Sequence, residues 1–110
     1  MSKVGTVAFT GQSGTEYGFD VYSVDTQFND VSAVYAMSTR KNDSGTYKHS
    51  VNYIGESGEL GTRLAEHEKW PCATTHGTNA ICVHRINGDT ARLKVEADLR
   101  ARYNPPCNKQ

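Results

Sequence analysis

Residues 51–67 constrain the fold more than any other stretch, because their hydrophobic period changes midway. Tyr53 and Gly55 fall on alternate positions of a run of β type, whereas Leu60 and Leu64 recur at the four-residue step of a helix. Two glycines and a serine between the two patterns allow a sharp turn and a helix start. The stretch therefore predicts a strand, a tight turn and a helix, a common layout for a functional site.

Polar side chains interrupt the predicted helix where more aliphatic residues would be expected. Arg63 and His67 lie four residues apart beside the two leucines, so they share one edge of the helix. Both side chains can reach the site that Tyr53 faces at the end of its strand. A guanidinium, an imidazole and a phenol at one point suit an anionic substrate.

The strand that contains Tyr53 has a predicted partner just before it in the sequence. In residues 32–40 the side chains of Ala33, Tyr35 and Met37 share one face, and residues 41–45 have turn composition. We expect an antiparallel pair of strands in which both tyrosine hydroxyls can lie on the same face.

The remaining elements follow from local signals. Residues 59–69 predict a helix that Pro71 stops, residues 79–86 a third strand, and residues 90–103 a second helix followed by a short tail at 107–110.

Residues 6–23 show two alternating runs around a Gly-Gln-Ser-Gly turn, which predicts a β-hairpin with Phe9, Tyr17, Phe19 and Val21 on its packing face. The order of elements predicts an α+β fold: a small antiparallel sheet of about three strands flanked by helices. We expect one domain over residues 1–110, with residues 1–31 as a hairpin extension and residues 32–108 as the core.

Glu96 is the most informative residue of the last predicted helix. A period of 100° per residue places it between Leu93 and Leu99, inside the stripe that should be buried. A buried carboxylate is costly unless it is paired or binds a metal. An internal salt bridge with Arg63 or Arg92 is the simpler interpretation, and a metal ligand is the other.

Charge and apolar content limit the classes of partner. The net charge is zero, but residues 31–110 contain eleven Lys and Arg against eight Asp and Glu, a bias that permits a phosphate-bearing partner. Lys48, beside the basic turn, is a candidate contact to a phosphate backbone. The longest apolar run is only a few residues, so we expect no membrane partner.

Three cysteines, an odd number, argue against a disulfide framework and favour a cytoplasmic location. Cys72, His76, Cys82 and His84 form a set that zinc could bridge. Their spacing is not that of a zinc ribbon, and a cysteine on a buried strand usually acts as a small apolar residue, so we favour ordinary structural roles.

Taken together, these residues resemble the GIY-YIG nuclease superfamily over residues 32–108. The elements that carry the resemblance, in order, are Ala33-Val34-Tyr35, Tyr53-Ile54-Gly55, Arg63, His67, Glu96 and the late Pro105-Pro106-Cys107-Asn108. Each three-letter motif is weak alone; the ordered set is specific. The resemblance implies an α+β nuclease core and a DNA endonuclease that requires Mg²⁺ or Mn²⁺.

The resemblance also implies a role for each matching residue. Tyr35 would contact or deprotonate the attacking water, and Tyr53 would arrange water and phosphate. Arg63 would hold the scissile phosphate, and His67 occupies a position usually filled by His or Tyr.

Two further residues match functional positions of the family. Glu96 matches the single divalent-metal ligand, and Asn108 matches an asparagine that supports the site. With no recognisable target-reading segment, specificity would come from a protein partner or from DNA shape.

The sequence departs from the family pattern in its first motif, Ala-Val-Tyr rather than Gly-Ile-Tyr, in a longer segment between the two tyrosines, and after the second motif. Ala33 stands where the first motif has glycine, and Glu56 stands where many members have a lysine. The reversed charge and the neutral net charge favour an alternative function: a weakly active or inactive domain of the same fold that binds nucleic acid or protein.

Overall fold

A computed structural model describes residues 3–109. Residues 1, 2 and 110, which belong to the predicted domain and its predicted tail, lie outside the described residues. Over the described range the fold is α+β, and five strands form one antiparallel sheet. The strands are β1 (Lys3–Thr10), β2 (Glu16–Ser23), β3 (Ala33–Asp43), β4 (Thr46–Ser57) and β5 (Ala80–Arg85).

The order of strands in the sheet is β1-β2-β5-β3-β4. The prediction of about three strands was wrong, because the N-terminal hairpin is part of the same sheet. Its second strand pairs with β5 over four residue pairs, from Asp20–Val83 to Ser23–Ala80. The predicted three strands form the β5-β3-β4 part of this larger sheet.

Three α-helices lie in residues 3–109: α1 (Leu60–Ala65), α2 (Trp70–Thr75) and α3 (Asp89–Tyr103). The predicted helix over 59–69 was too long, since α1 ends at Ala65 and α2 begins at Trp70. Pro71 lies in the first turn of α2 and does not stop a helix. Proline is tolerated there because the first amides of a helix have no partner within it.

Two apolar clusters cover the two faces of the sheet, and β3 contributes to both. Val34 and Ala36 belong to the cluster that includes residues of α3, whereas Ala33, Tyr35 and Met37 belong to the cluster with α1 and α2. The predicted shared face of these last three residues is confirmed. So is the packing face of the hairpin: Phe9, Phe19 and Val21 are buried in the α3 cluster, and Tyr17 is partly buried against it.

The inner face of α3 differs from the prediction. Leu93 is 51% exposed, whereas Arg92 is only 7% exposed. The Nε of Arg92 donates to Glu56 Oε1 at 2.8 Å, and its other nitrogens donate to Ser32 and Asp89. These partners satisfy the buried charge, so the helix can present an arginine inward where the apolar pattern favoured a leucine.

The expectation of no disulfide was wrong, because Cys72 of α2 is bonded to Cys107. Cys107 lies in a 3₁₀ helix (Pro106–Lys109), so the predicted tail is ordered over that range and joined covalently to α2. Cys82 is the free cysteine of the described range, and it is buried.

None of the helices in residues 3–109 combines the length and the apolar content needed to cross a bilayer; the longest, α3, has 15 residues.

Candidate functional site

Strands β3 and β4 bring Tyr35 and Tyr53 together. Tyr35 pairs with Gly55 across the sheet, Tyr53 lies two positions before that glycine, and the two ring centroids are 6.1 Å apart. A Cβ added to Gly55 would lie 2.7 Å from the Cζ and Oη of Tyr35 and 2.8 Å from Cε2 of Tyr53. The glycine of the second motif is therefore required by the space that the two rings occupy.

His67 follows α1 and reaches the same point. It is 4% exposed, its Nε2 is 2.6 Å from the hydroxyl oxygen of Tyr35, and its ring centroid is 5.0 Å from that of Tyr53. The backbone N–H of Lys69 donates to His67 Nδ1 at 3.0 Å, which makes Nδ1 an acceptor. In the neutral ring the proton is then on Nε2, which donates to Tyr35 and leaves the phenol proton free to point elsewhere.

Burial keeps the three rings uncharged near neutral pH. It lowers the pKa of His67 to about 4, an effect that the positive charge of Arg63 reinforces. Burial raises the pKa of Tyr35 and that of Tyr53 above the ordinary tyrosine value, while Arg63 acts in the opposite direction on both. The guanidinium is thus already close enough to stabilise negative charge on either phenol.

Arg63 lies in the last turn of α1, and in this structure Glu68 occupies its forked edge. The Nη1–Oε2 and Nη2–Oε1 distances are 2.8 and 2.6 Å. The hydrogen bonds from Arg63 lower the pKa of Glu68 to about 2. Arginine binds phosphate through the same paired donors, so Glu68 stands where the sequence predicted a substrate phosphate.

The contact between Glu68 and Arg63 could not be predicted from the sequence. A helix continuing to residue 69 would have placed it outside the reach of Arg63, because residues five apart point in different directions on a helix. The end of α1 at Ala65 makes the contact possible.

Glu96 lies on α3, on the other side of the sheet, and is partly exposed. Within residues 3–109 its carboxylate makes neither a salt bridge nor a hydrogen bond, since Arg63 pairs with Glu68 and Arg92 with Glu56. The predicted internal salt bridge is therefore not formed.

Burial raises the pKa of Glu96, and Arg100 opposes that shift. The negative charge of Glu96 in turn contributes to the raised pKa of Tyr53 and of Tyr35. Glu96 also lines a cavity of about 390 Å³ together with Asn108. A half-buried carboxylate without a counter-ion fits a hard divalent cation, which binds through oxygen ligands.

Asn108 supports the strand that carries Tyr53. Its side-chain carbonyl accepts from the N–H of Ile54 at 2.8 Å, and its amide donates to the carbonyl of Ile54 at 2.9 Å. These two bonds satisfy the free edge of β4 between Tyr53 and Gly55. The neighbouring Cys107 ties Asn108 to α2 through the disulfide.

Lys48 is not brought to the site. It pairs with Lys41 near the tip of the β3–β4 hairpin, is exposed, and forms a salt bridge of 3.1 Å with Asp43. Lys48 and Tyr53 are five residue steps apart along β4, which corresponds to about 16 Å. Any contact of Lys48 with nucleic acid would be remote from the tyrosines.

The four residues of the zinc interpretation do not come together, because Cys82 and His84 lie apart from Cys72 and His76. Cys82 is buried in the α3-side core, where burial raises the pKa of its thiol to about 11, and His84 Nδ1 lies 2.8 Å from the carbonyl oxygen of Gly18. Among residues 3–109 a different set comes together, formed by Cys72, His76 and Cys107. The spacing of the first two was visible in the sequence, whereas the approach of Cys107 was not.

No family model matches this chain, and searches of curated proteins and of solved structures gave no significant match.

Replacing Gly55 by alanine should destabilise the protein by about 1–3 kcal/mol, because the new methyl group would overlap both tyrosine rings. Urea denaturation monitored by circular dichroism measures this change. Gly18→Ala in β2 is the matched control, since a Cβ there meets nothing within 4 Å. Equal effects of the two substitutions would show that the rings are not packed on Gly55.

Stability should decrease as the pH falls from about 6.5 towards 4, because an unfolded histidine binds a proton in this range and buried His67 does not. The contribution of His67 should be about 2–3 kcal/mol. Melting temperatures measured across this range should vary less for His67→Gln than for the native protein. His84→Gln should keep the native dependence, and a His67→Gln profile parallel to the native one would contradict the assignment.

Proposed function

We propose that this protein is a divalent-metal-dependent endonuclease that hydrolyses DNA phosphodiester bonds. The observation that carries the proposal is the convergence of Tyr35, Tyr53, Arg63 and His67, here called the tyrosine cluster. Glu96, whose carboxylate has no ion-pair partner within residues 3–109, acts electrostatically on both phenols. The resemblance to the GIY-YIG nuclease superfamily led to this set from the sequence, and the contacts among its members support it.

Hydrolysis of a phosphodiester requires a bound phosphate, an attacking water and a proton for the leaving oxygen. Arg63 would bind the phosphate by exchanging the carboxylate of Glu68 for two phosphate oxygens. The exchange is chemically matched because both ligands are anions that accept a pair of hydrogen bonds. Charge developing on the phosphate would then face a guanidinium already in place.

As a neutral phenol, Tyr35 would orient the attacking water; it could accept a proton from that water only after losing its own proton to solvent. Because His67 Nε2–H donates to the hydroxyl oxygen of Tyr35, the phenol proton can be donated only to another group, such as water or a substrate oxygen. The same hydrogen bond stabilises a phenolate if the proton is lost. Burial and the nearby acidic groups raise the pKa of Tyr35, so this role requires added positive charge.

Glu96 would hold the divalent ion, with Asn108 maintaining the adjacent edge of β4. Mg²⁺ or Mn²⁺, when bound, supplies positive charge to the phosphate and to the attacking water. A single carboxylate is enough for such an ion, because substrate oxygens and waters complete its coordination.

The alternative function is a weakly active or inactive domain of the same kind that binds nucleic acid or protein. Two observations favour it: Tyr35 has no exposed surface, and Glu68 occupies Arg63. In a nuclease, Tyr35 would have to become accessible to the substrate, and Glu68 would have to be displaced from Arg63.

Native protein incubated with supercoiled plasmid and Mg²⁺ or Mn²⁺ should nick the DNA, and Glu96→Ala and Arg63→Ala should each reduce the rate by about 10²-fold or more. Gel electrophoresis of the plasmid over time measures the rate. Glu66→Ala and Arg102→Ala, at exposed positions, are controls for the loss of one charge. Absence of nicking, or nicking that neither substitution changes, would refute the endonuclease and favour the binding domain.

Replacing Glu68 by alanine should increase DNA affinity several-fold, because it releases the forked edge of Arg63 for a phosphate. Fluorescence anisotropy with a labelled duplex at fixed ionic strength measures the affinity. Glu66→Ala removes the same charge two residues away and should have a smaller effect.

The gain should disappear in an Arg63→Ala background, which distinguishes a released arginine from a change in net charge. Equal gains for Glu66→Ala and Glu68→Ala, or a gain that persists without Arg63, would contradict the role of Arg63 as the phosphate ligand.

A further inference from the structure

We infer that Cys72, His76 and Cys107 bind Zn²⁺ when the disulfide between the two cysteines is reduced. The ligand atoms of the three residues, here called the Cys-His-Cys cluster, all lie within 4.8 Å of one another. The inference does not depend on the proposed nuclease activity, and its site is built from different residues.

The spacing on α2 provides two of the three ligands. Cys72 and His76 are four residues apart, the last at the C-terminal end of the helix, so both project from one side. The 3₁₀ helix places Cys107 opposite them, with a Cα–Cα distance of 5.9 Å to Cys72. Zinc bonds of 2.0–2.3 Å in a tetrahedron separate ligand atoms by roughly 3.5–3.8 Å, so small side-chain rotations would complete the geometry.

His76 is held by its backbone and has a free ring. Its carbonyl accepts from Thr39 Oγ1 at 2.8 Å, and its N–H donates to the carbonyl of Cys72 at 3.2 Å. Within residues 3–109 the imidazole itself makes no hydrogen bond, so a ring nitrogen can serve as a ligand. The side chain is exposed, which leaves room for a water as fourth ligand.

The donor set selects the metal. Two thiolates and one imidazole are soft and borderline ligands of the kind that zinc prefers, whereas Mg²⁺ and Mn²⁺ prefer oxygen. The Cys-His-Cys cluster would therefore not compete with Glu96 for the same ion.

The disulfide and the metal exclude each other. A dithiol reductant attacks the Cys72–Cys107 bond, forms a mixed disulfide and is released in its oxidised form, which transfers two electrons and leaves two thiols. Zn²⁺ then displaces the two thiol protons and bonds to both sulfurs and to a nitrogen of His76.

Either the disulfide or a bound metal would hold the 3₁₀ helix against α2. Cys107 directly precedes Asn108, whose two hydrogen bonds hold Ile54 at the edge of β4. A metal in place of the disulfide would preserve this connection under reducing conditions.

The test is a Co²⁺ titration of the reduced protein followed by displacement with Zn²⁺. We expect one equivalent of Co²⁺ to produce a thiolate-to-cobalt absorption band, which Zn²⁺ removes. The oxidised protein should show no such band. Cys72→Ser should abolish the band, and His76→Ala, at an exposed position that should not affect folding, should lower zinc affinity on the order of tenfold or more.

His84→Ala, a histidine outside the cluster, is the matched control and should bind zinc as the native protein does. Melting of the reduced protein gives a second readout, because Zn²⁺ should raise the melting temperature, and by less in His76→Ala. Absence of the thiolate band in the reduced protein, or equal zinc affinity of the His76→Ala and native proteins, would overturn the inference.

Discussion

The contact between the ring of Tyr35 and the bare backbone of Gly55 is the constraint on which the rest of the site depends. Tyr35 belongs to the strand that is buried on both faces of the sheet, and only a residue without a Cβ can lie opposite it while Tyr53 occupies the same face. With the two rings fixed, His67 can reach the hydroxyl of Tyr35 because α1 is held on that face by Leu60 and Leu64. A close-packed interior thus positions polar groups that face one another.

The charges around the tyrosine cluster are not balanced in the same way on its two sides. The cation of Arg63 is satisfied by Glu68, whereas within residues 3–109 the carboxylate of Glu96 has no ion-pair partner. The three rings of the cluster remain neutral near pH 7, so they compensate neither charge. A ligand composed of a phosphate and a divalent cation would satisfy both sides at once, which is the physical basis of the proposed nuclease activity.

The C-terminal segment acts on this arrangement from outside the cluster. β4 is an edge strand, and an unpaired edge next to Tyr53 would leave the backbone of Ile54 exposed to solvent or to another chain. Asn108 supplies the missing pair of hydrogen bonds, and the link between Cys107 and Cys72 fixes Asn108 to α2. The Cys72–Cys107 bond is therefore connected, through Asn108, to the strand that carries the candidate catalytic residue Tyr53.

The α+β class, the faces of β3 and the packing face of the N-terminal hairpin could be predicted, because the alternation of side chains along a strand is a local property of the sequence. The two phenols could be grouped for the same reason, since each lies on a defined face of a predicted strand. His67 reaches them from beyond the end of α1 and not from the helix edge that its spacing with Arg63 predicted. The number of strands could not be predicted, because the pairing of β2 with β5 joins segments about sixty residues apart. Tertiary contacts also decided that α3 turns Arg92 inward, where Glu56 and Ser32 satisfy it, that Glu68 covers Arg63, and that Cys72 meets Cys107. The sequence by itself determined which faces its elements present, and only the folded chain determined which groups compensate the charges on those faces, because such partners come from distant segments.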